Sequence, residues 1–343
     1  MKILFFEPHD RGLYYTEFSA ALKKRHDVFQ YGPGEPLYNS HHTISDILEI
    51  YSRDKVGTPE LILFGFGWEN DSHPTKYNLH EVELGLREIK LPKAFIINKE
   101  YKKIDQKFQF IRDNKFDACF SVHHEYKKFE ELTNTKFYRL PFAANPETFK
   151  DYQQEKFIDF GFSGNLFNSP YYRNTGFMGN FFNNIRERMY KEINSPQYSD
   201  LKIWWNKSAS NYLYGKKYGR LINSSKIWLN TPSALEIVGT RFYEVMASHT
   251  LLFCARCDWA YKDLGLVDGK TCVMFEPTLC NFGEKLFYYL NNKDERDTIV
   301  NNAYELFLDQ HTWDHRIKFL TDVFSECESR DELLKSDFVA TGE

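Results

Sequence analysis

The stretch SKIWLNTPSALEIVGTRFYEVMASHTLLFCA, from Ser225 to Ala255, indicates the fold of the second half of the chain. Its parts are a strand at Ile227–Leu229, a loop containing Pro232 and Gly239, a helix at Thr240–Ser248 and a second strand at Leu251–Ala255. In open parallel sheets, a loop that leaves the carboxyl end of a strand and enters a helix often binds anions, because unpaired amides and the helix dipole point there. The stretch therefore predicts an anion-binding site in an α/β domain.

The first turn of this helix carries the residue types that bind a nucleotide. Thr240 is predicted as the N-cap, and Gly239 before it lets a ligand approach the backbone closely. Arg241 and Glu244 stand three residues apart and share one helix face. A guanidinium suits phosphate, and a carboxylate can accept hydrogen bonds from two neighbouring sugar hydroxyls. The alternative is an ordinary surface ion pair.

A longer pattern, P-S-x-x-E-x-x-G-x-x-x-x-E-x-M-A, runs from Pro232 to Ala247. It resembles the Glu-x7-Glu signature of GT-B glycosyltransferases of the glycosyl transferases group 1 type. Its Arg-Phe-Tyr-Glu core is similar to the CgeB-like branch of that group. His249 stands where the pattern usually has glycine, which puts the tight turn after the helix in doubt. By this resemblance Glu244 binds the ribose, Arg241 binds the diphosphate and Glu236 faces the donor sugar.

Length, charge and cysteine content restrict the class of protein. The 343 residues exceed what one hydrophobic core usually fills, so two domains are expected. A formal net charge of -4 disfavours nucleic acid as a partner. The pair Cys254 and Cys257 is interpreted as buried free thiols rather than as a redox or metal site. No stretch has the ~20 apolar residues of a membrane-spanning helix, so a cytoplasmic protein is expected, with peripheral membrane attachment left open.

The first 150 residues alternate between short apolar runs and segments of helical periodicity. This alternation predicts a parallel sheet covered by helices on both faces. Gly12 and Gly65 follow the first and third predicted strands and are candidate acceptor-side residues, although glycines serving turn geometry are an equal alternative. His123 and His124 follow the fifth strand, where a neutral imidazole could hydrogen-bond a sugar or shuttle a proton. With Glu236 they are the catalytic candidates, and no carboxylate partner for either histidine is visible in the sequence.

The segment L-P-F-A-A-N-P at residues 140–146 is predicted as the hinge, and Ile158–Phe162 is predicted as the first strand of the second domain. Small residues follow that strand, where backbone amides could approach an anion, and an arginine downstream could supply a compensating charge. In the resembled family the corresponding loop and arginine border the donor phosphates. The expected donor-site residues are Ser163, Gly164, Asn165, Arg173, Ser233, Gly239, Thr240, Arg241 and Glu244.

These patterns together predict an α/β protein of the GT-B class. Two Rossmann-like domains would face an interdomain cleft, and a carboxyl-terminal helix at Trp313–Phe324 would cross back to the first domain. The expected boundaries are 1–150 for the acceptor-side domain, 151–311 for the nucleotide-sugar-binding domain, and 312–343 for the crossover helix and tail.

By the resemblance, the reaction is transfer of a hexosyl group from a UDP- or GDP-sugar to an acceptor hydroxyl, with retention of configuration, in glycan or polysaccharide biosynthesis. The acceptor would be a glycan, a lipid-linked substrate or a protein. No Asp-x-Asp motif occurs, and arginines with helix amides can stabilise a departing diphosphate, so neither a metal nor a cofactor is expected. The alternatives are a nucleotide-sugar-binding subunit without transfer activity and another GT-B activity, such as an epimerase or a phosphorylase.

Overall fold

A computed structural model of the chain describes residues 1–9, 13–55, 57–68, 85–100, 102–164, 185–206, 213–233 and 235–325. Two separate parallel sheets, one in each half, organise these residues. The predicted α/β architecture is confirmed. None of the helices among the described residues is both long enough and apolar enough to cross a bilayer.

The first sheet has six strands in the order β2-β1-β3-β4-β5-β6. Its central strands are apolar runs buried on both faces, as expected for a parallel sheet between two helix layers. Ile3, for example, pairs with Val28 on one side and with Leu61 on the other. The strands are β1 (Lys2–Phe6), β2 (Asp27–Tyr31), β3 (Leu61–Phe64), β4 (Lys93–Ile97), β5 (Ala118–Ser121) and β6 (Lys136–Arg139).

The second sheet has five parallel strands in the order β11-β10-β9-β7-β8. Phe160 pairs with Ile227 and with Ile203, so the strand that begins this half lies inside the sheet. The strands are β7 (Ile158–Ser163), β8 (Ile203–Asn206), β9 (Ser225–Asn230), β10 (Leu251–Ala255) and β11 (Val273–Phe275).

Helices connect the strands and cover the sheets. In the first half they are α1 (Leu13–Arg25), α2 (Ile44–Lys55), α3 (Ile104–Asn114) and α4 (Lys127–Thr133). In the second half they are α5 (Ile185–Ile193), α6 (Gly215–Asn223), α7 (Thr240–Ala247), α8 (Asp258–Tyr261), α9 (Phe282–Asn291), α10 (Lys293–Gln310) and α11, which spans residues 313–325.

The apolar spacing of residues 79–86 and 177–193 predicts two further helices, which lie partly outside the described residues. Of the helix expected at Leu79–Leu86, only the last two residues are described, and Leu86 begins a short 3-10 turn. Of the helix expected at Phe177–Ile193, the described part is α5. Helix α4 and strand β6 were not predicted, because each is short and the strand sequence, Lys-Phe-Tyr-Arg, has little apolar character.

Helix α11 packs on the first domain, which confirms the predicted crossover. Trp313 donates from its indole nitrogen to Oε2 of Glu17 at 3.0 Å and packs edge-on against Phe18. The buried Arg316 donates to the backbone carbonyls of Pro141 at 2.8 Å and Phe142 at 3.0 Å. These buried contacts tie the end of the chain to the hinge segment and to α1.

Glu17 makes this junction sensitive to pH. Burial raises its pKa to about 7, which the hydrogen bond from Trp313 opposes. The folded-state pKa of Glu17 lies above its ordinary value, so the folded protein favours the protonated carboxyl group. The contribution of Glu17 to folding stability is therefore complete below about pH 4.5 and is lost as the pH rises through 7. Glu17→Gln removes the charge, so relative to wild type it should gain about 1–3 kcal/mol of folding stability between pH 5 and pH 8.5.

Melting temperatures of wild type and Glu17→Gln at the two pH values measure this gain. Glu305→Gln, at an exposed position of α10, is the matched control for the loss of a helical carboxylate. A Glu17→Gln difference that is the same at pH 5 and pH 8.5 would contradict the assignment.

Candidate functional site

The amino end of α7 opens on the cleft between the two sheets. Gly239 is the N-cap, with an extended backbone (φ -80°, ψ 172°), and Thr240 is the first helical residue. The predicted N-cap at Thr240 is therefore wrong by one position. No side chain caps this end of the helix, so its first-turn amides do not bond a capping side chain and can face a ligand.

A cavity of about 240 Å³ lies at this helix end and has walls from both halves of the chain. The second half contributes Ser163, Ser233, Gly239, Thr240 and Arg241, all predicted donor-site residues. The first half contributes Tyr14, Asn98, Lys99, Val122 and Phe142. The structure thus brings most of the described donor-site residues to one cavity.

Two arginines stand beside Gly164 at the end of β7. Gly164 has φ 153°, and a methyl group in place of its hydrogen would lie 3.5 Å from Nη1 of both Arg186 and Arg241. Arg186 also donates from Nε to Oγ1 of Thr231 at 2.8 Å. Sequence reasoning missed Arg186. Its position at the start of the helix after the Gly164 loop was the available signal.

Glu244 lines a second cavity, of about 300 Å³, together with Arg241, Ser163 and Tyr218. The Glu244 side chain is buried, which raises the pKa of its carboxyl group, and Arg241 and the Thr240 hydroxyl oppose that rise. The Tyr218 hydroxyl lies 2.5 Å from Oγ of Ser163, and burial raises the pKa of Tyr218 to about 12. This second cavity therefore offers a carboxyl group and neutral hydroxyls, next to the first cavity, which is lined by arginines.

The loop before α7 is folded tightly against the first domain. Oγ of Ser233 accepts hydrogen bonds from the amides of Leu235 and Ile237, and Glu236 has a left-handed backbone with φ 59°. Oε2 of Glu236 accepts from Nε1 of Trp259 at 2.5 Å and lies 3.8 Å from Nε2 of His124. Glu236 is therefore the carboxylate partner of His124, which the sequence did not reveal.

The two candidate histidines differ in their availability. His123 is buried, and burial lowers its pKa to about 4. Its Nε2 donates to the carbonyl of Leu235 at 3.1 Å, and its Nδ1 accepts from the amide of Glu125 at 3.0 Å. Because both ring nitrogens of His123 are engaged, His123 holds the Leu235 loop, and His124 is the better placed of the two for chemistry.

His123, His124 and Glu125 also place three ligand atoms within 4.8 Å of one another. To bind a metal, His123 would have to give up one of its two ring hydrogen bonds, either the bond to the Leu235 carbonyl or the bond from the Glu125 amide.

Gly65 lies against Glu7, and the described residues that line the two cavities do not include it. A methyl group at Gly65 would come within 2.1 Å of Oε2 of Glu7, whose carboxylate accepts from the amide of Gly67 at 2.9 Å. This close approach explains the glycine, and its acceptor-side role stays a prediction. Gly12, Asn165 and Arg173 lie outside the described residues.

The turn after α7 forms without glycine. His249 adopts the left-handed conformation, with φ 53°, and its ring hydrogen-bonds Asn301 at 2.9 Å. The tight turn therefore forms with histidine at the position where the family pattern usually has glycine.

Comparisons with known proteins agree with this geometry. Residues 177–322, which include α7, match the family described as "Glycosyl transferase-like". HepE of Anabaena, solved with UDP-glucose, is 11% identical with a TM-score of 0.59, over 95% of this chain and 100% of that chain. A glycosyltransferase from Rickettsia africae is 11% identical with a TM-score of 0.60, over 95% and 98%. No curated protein matches the sequence.

Arg186 is expected to contribute to anion binding. Arg186→Met should weaken the binding of inorganic pyrophosphate about tenfold, because a charge-assisted hydrogen bond is lost from the cavity. Isothermal titration calorimetry at low salt measures the change. Lys191→Met, which removes an exposed charge from the same helix, is the control and should bind like wild type. Equal affinities for all three proteins would refute the role of Arg186.

Proposed function

We propose that the chain is a glycosyltransferase that transfers a hexosyl group from a nucleotide-sugar to an acceptor hydroxyl. The match of residues 177–322 to the glycosyl transferase-like family and the similar folds of HepE and the Rickettsia africae glycosyltransferase support this proposal. The observation that carries this proposal is the cavity at the amino end of α7, which Arg186 and Arg241 line and beside which Gly164 lies. A sugar diphosphate matches that combination of two guanidinium groups, a close backbone approach and helix amides.

Glu244 is the proposed ribose ligand. It lines the cavity next to the diphosphate site and shares Arg241 with it, as a nucleoside attached to the diphosphate would require. An ionised carboxylate accepts hydrogen bonds from two adjacent hydroxyls, which matches the 2′- and 3′-hydroxyls of ribose. A UDP-sugar is favoured over a GDP-sugar, since the similarly folded HepE was solved with UDP-glucose and with UDP.

The transfer is proposed to be metal-independent and retaining. Arg186 and Arg241, which line the cavity, and the amides at the start of α7 support this proposal, because positive groups of this kind can stabilise a departing diphosphate. Glu236 and His124 are the candidate sugar-facing groups, and a bound hexose would exchange with their present contacts to each other and to Trp259.

The acceptor is proposed to enter from the first domain, along the wall formed by Tyr14 and Asn98. A glycan, a lipid-linked substrate or a protein would present the hydroxyl, in glycan or polysaccharide biosynthesis. We assign residues 1–150 to the acceptor-side domain, 151–311 to the donor domain and 312–343 to the crossover helix and tail. A cytoplasmic location with peripheral membrane contact is part of the same proposal.

Release of nucleoside diphosphate tests the proposed activity. The chain is incubated with UDP-glucose, other UDP-sugars and GDP-sugars, with and without candidate acceptors, and free UDP or GDP is measured. Sugar-dependent release that rises with acceptor supports transfer. Binding without release would identify an inactive nucleotide-sugar-binding protein, and conversion of the sugar without release or acceptor would identify an epimerase.

Glu244→Ala is expected to lose donor binding while the fold persists. Removing an acceptor of two hydroxyl hydrogen bonds should raise the dissociation constant for UDP at least about 100-fold. Wild type should also bind 2′-deoxy-UDP more weakly than UDP, whereas the variant should not distinguish the two. Calorimetry measures both effects.

Glu284→Ala, at an exposed position in α9, is the matched control for loss of a helical carboxylate. It should bind both nucleotides like wild type. Unchanged UDP affinity in Glu244→Ala, or full discrimination against 2′-deoxy-UDP by that variant, would remove Glu244 from the ribose site.

A further inference from the structure

A third cationic residue, from the opposite domain, lines the cavity proposed to bind the diphosphate. Of the described residues that line the cavity, Lys99, Arg186 and Arg241 are cationic and none is a carboxylate. Arg186 and Arg241 stand beside Gly164 in the second half of the chain, whereas Lys99 lies just after β4 of the first sheet. An anion in the cavity is therefore approached by positive charge from both domains.

The turn that presents Lys99 is held in a strained conformation. Lys99 has φ 52°, in the left-handed region that side chains rarely adopt. Its amide donates to Oδ1 of Asn98 at 2.8 Å, and Nδ2 of Asn98 donates to the Tyr14 hydroxyl at 2.9 Å. The buried Lys107 donates from Nζ to the carbonyls of Asn98 at 2.6 Å and Lys99 at 3.1 Å. Strain fixed by this many contacts is typical of functional turns.

The proposed reaction creates negative charge in this cavity. The bond between the anomeric carbon and the diphosphate oxygen breaks, and its electron pair stays on that oxygen. The acceptor hydroxyl oxygen bonds to the anomeric carbon and its proton is released to water. The sugar-bound diphosphate carries two negative charges, and the free diphosphate above its second pKa of about 6 carries about three. The cavity therefore needs more positive charge after the bond breaks than before.

We propose that Lys99 is a catalytic residue that binds the terminal phosphate as the sugar leaves, so that the first domain supplies the cation for the additional charge. This inference rests on the proposed glycosyl transfer. It assigns Arg186 and Arg241 to the diphosphate in both states and Lys99 to the charge that only the transition state and product carry. Interactions that strengthen in the transition state are those that raise kcat.

Comparing a nucleotide diphosphate with its sugar ester tests the proposal. At pH 8, Lys99→Met should raise the Kd for UDP about tenfold and the Kd for UDP-glucose less than about threefold, as measured by calorimetry. At pH 5, where the terminal phosphate is largely protonated, the two effects should converge. In an assay of UDP release, kcat should fall at least about tenfold, with little change in KM for the donor.

Three further variants complete the experiment. Lys99→Arg keeps the positive charge and should keep the preference for UDP. If Lys99→Met is unstable, Lys99→Gln replaces it and should give the same result. Lys103→Met is the matched control, because Lys103 also has a left-handed backbone (φ 49°) but is exposed and is absent from the described cavity lining. It should leave both Kd values unchanged.

Several outcomes would overturn the inference without touching the proposed function. One is an unchanged ratio of the UDP and UDP-glucose Kd values in the folded Lys99→Met and Lys99→Gln variants. Another is an effect on acceptor KM alone, which would place Lys99 in the acceptor site. Failure of wild type to bind either nucleotide would instead contradict the proposed function itself.

Discussion

The proposed donor site depends on one buried carboxyl group and the arginine beside it. Burial in the interdomain region raises the pKa of Glu244 by disfavouring its ionised form, and Arg241 opposes that effect from one turn away. A protonated carboxyl group accepts fewer hydrogen bonds than a carboxylate, so Arg241 favours the form that the proposed ribose contact needs. The same arginine stands beside Gly164 and lines the first cavity, so the proposed ribose and diphosphate positions share a single charge.

The contacts between the domains place this pair at a cleft. Arg139 of β6 donates to the carbonyls of Ala260 and Lys262, and His123 donates to the carbonyl of Leu235 in the loop before α7. Helix α11 closes the other side through Trp313 and Arg316. Most of these bonds end on backbone carbonyls. They fix where the loop lies and leave its side chains to contact a ligand.

Local patterns in the sequence predicted most helices and strands, but they did not predict the contacts between the domains. The stretch around α7 specified a strand, a loop and a helix because each has its own periodicity and punctuation. The pairing of His124 with Glu236 joins residues from different domains, so no local spacing announces it. Lys99 was missed for the same reason, because it lines the cavity from the first domain. Arg186 had a local signal, its position at the start of α5 in the same domain as Gly164, and was overlooked. The N-cap error at Thr240 arose because glycine can occupy that position without a capping side chain.

A crystal structure of the chain with UDP-glucose tests the proposed donor site most directly. We expect diphosphate oxygens within hydrogen-bond distance of the Arg186 and Arg241 guanidinium groups at the amino end of α7. We also expect both ribose hydroxyls on the carboxylate of Glu244. A nucleotide bound elsewhere, or bound in the cleft with Glu244 facing away from the ribose, would contradict it.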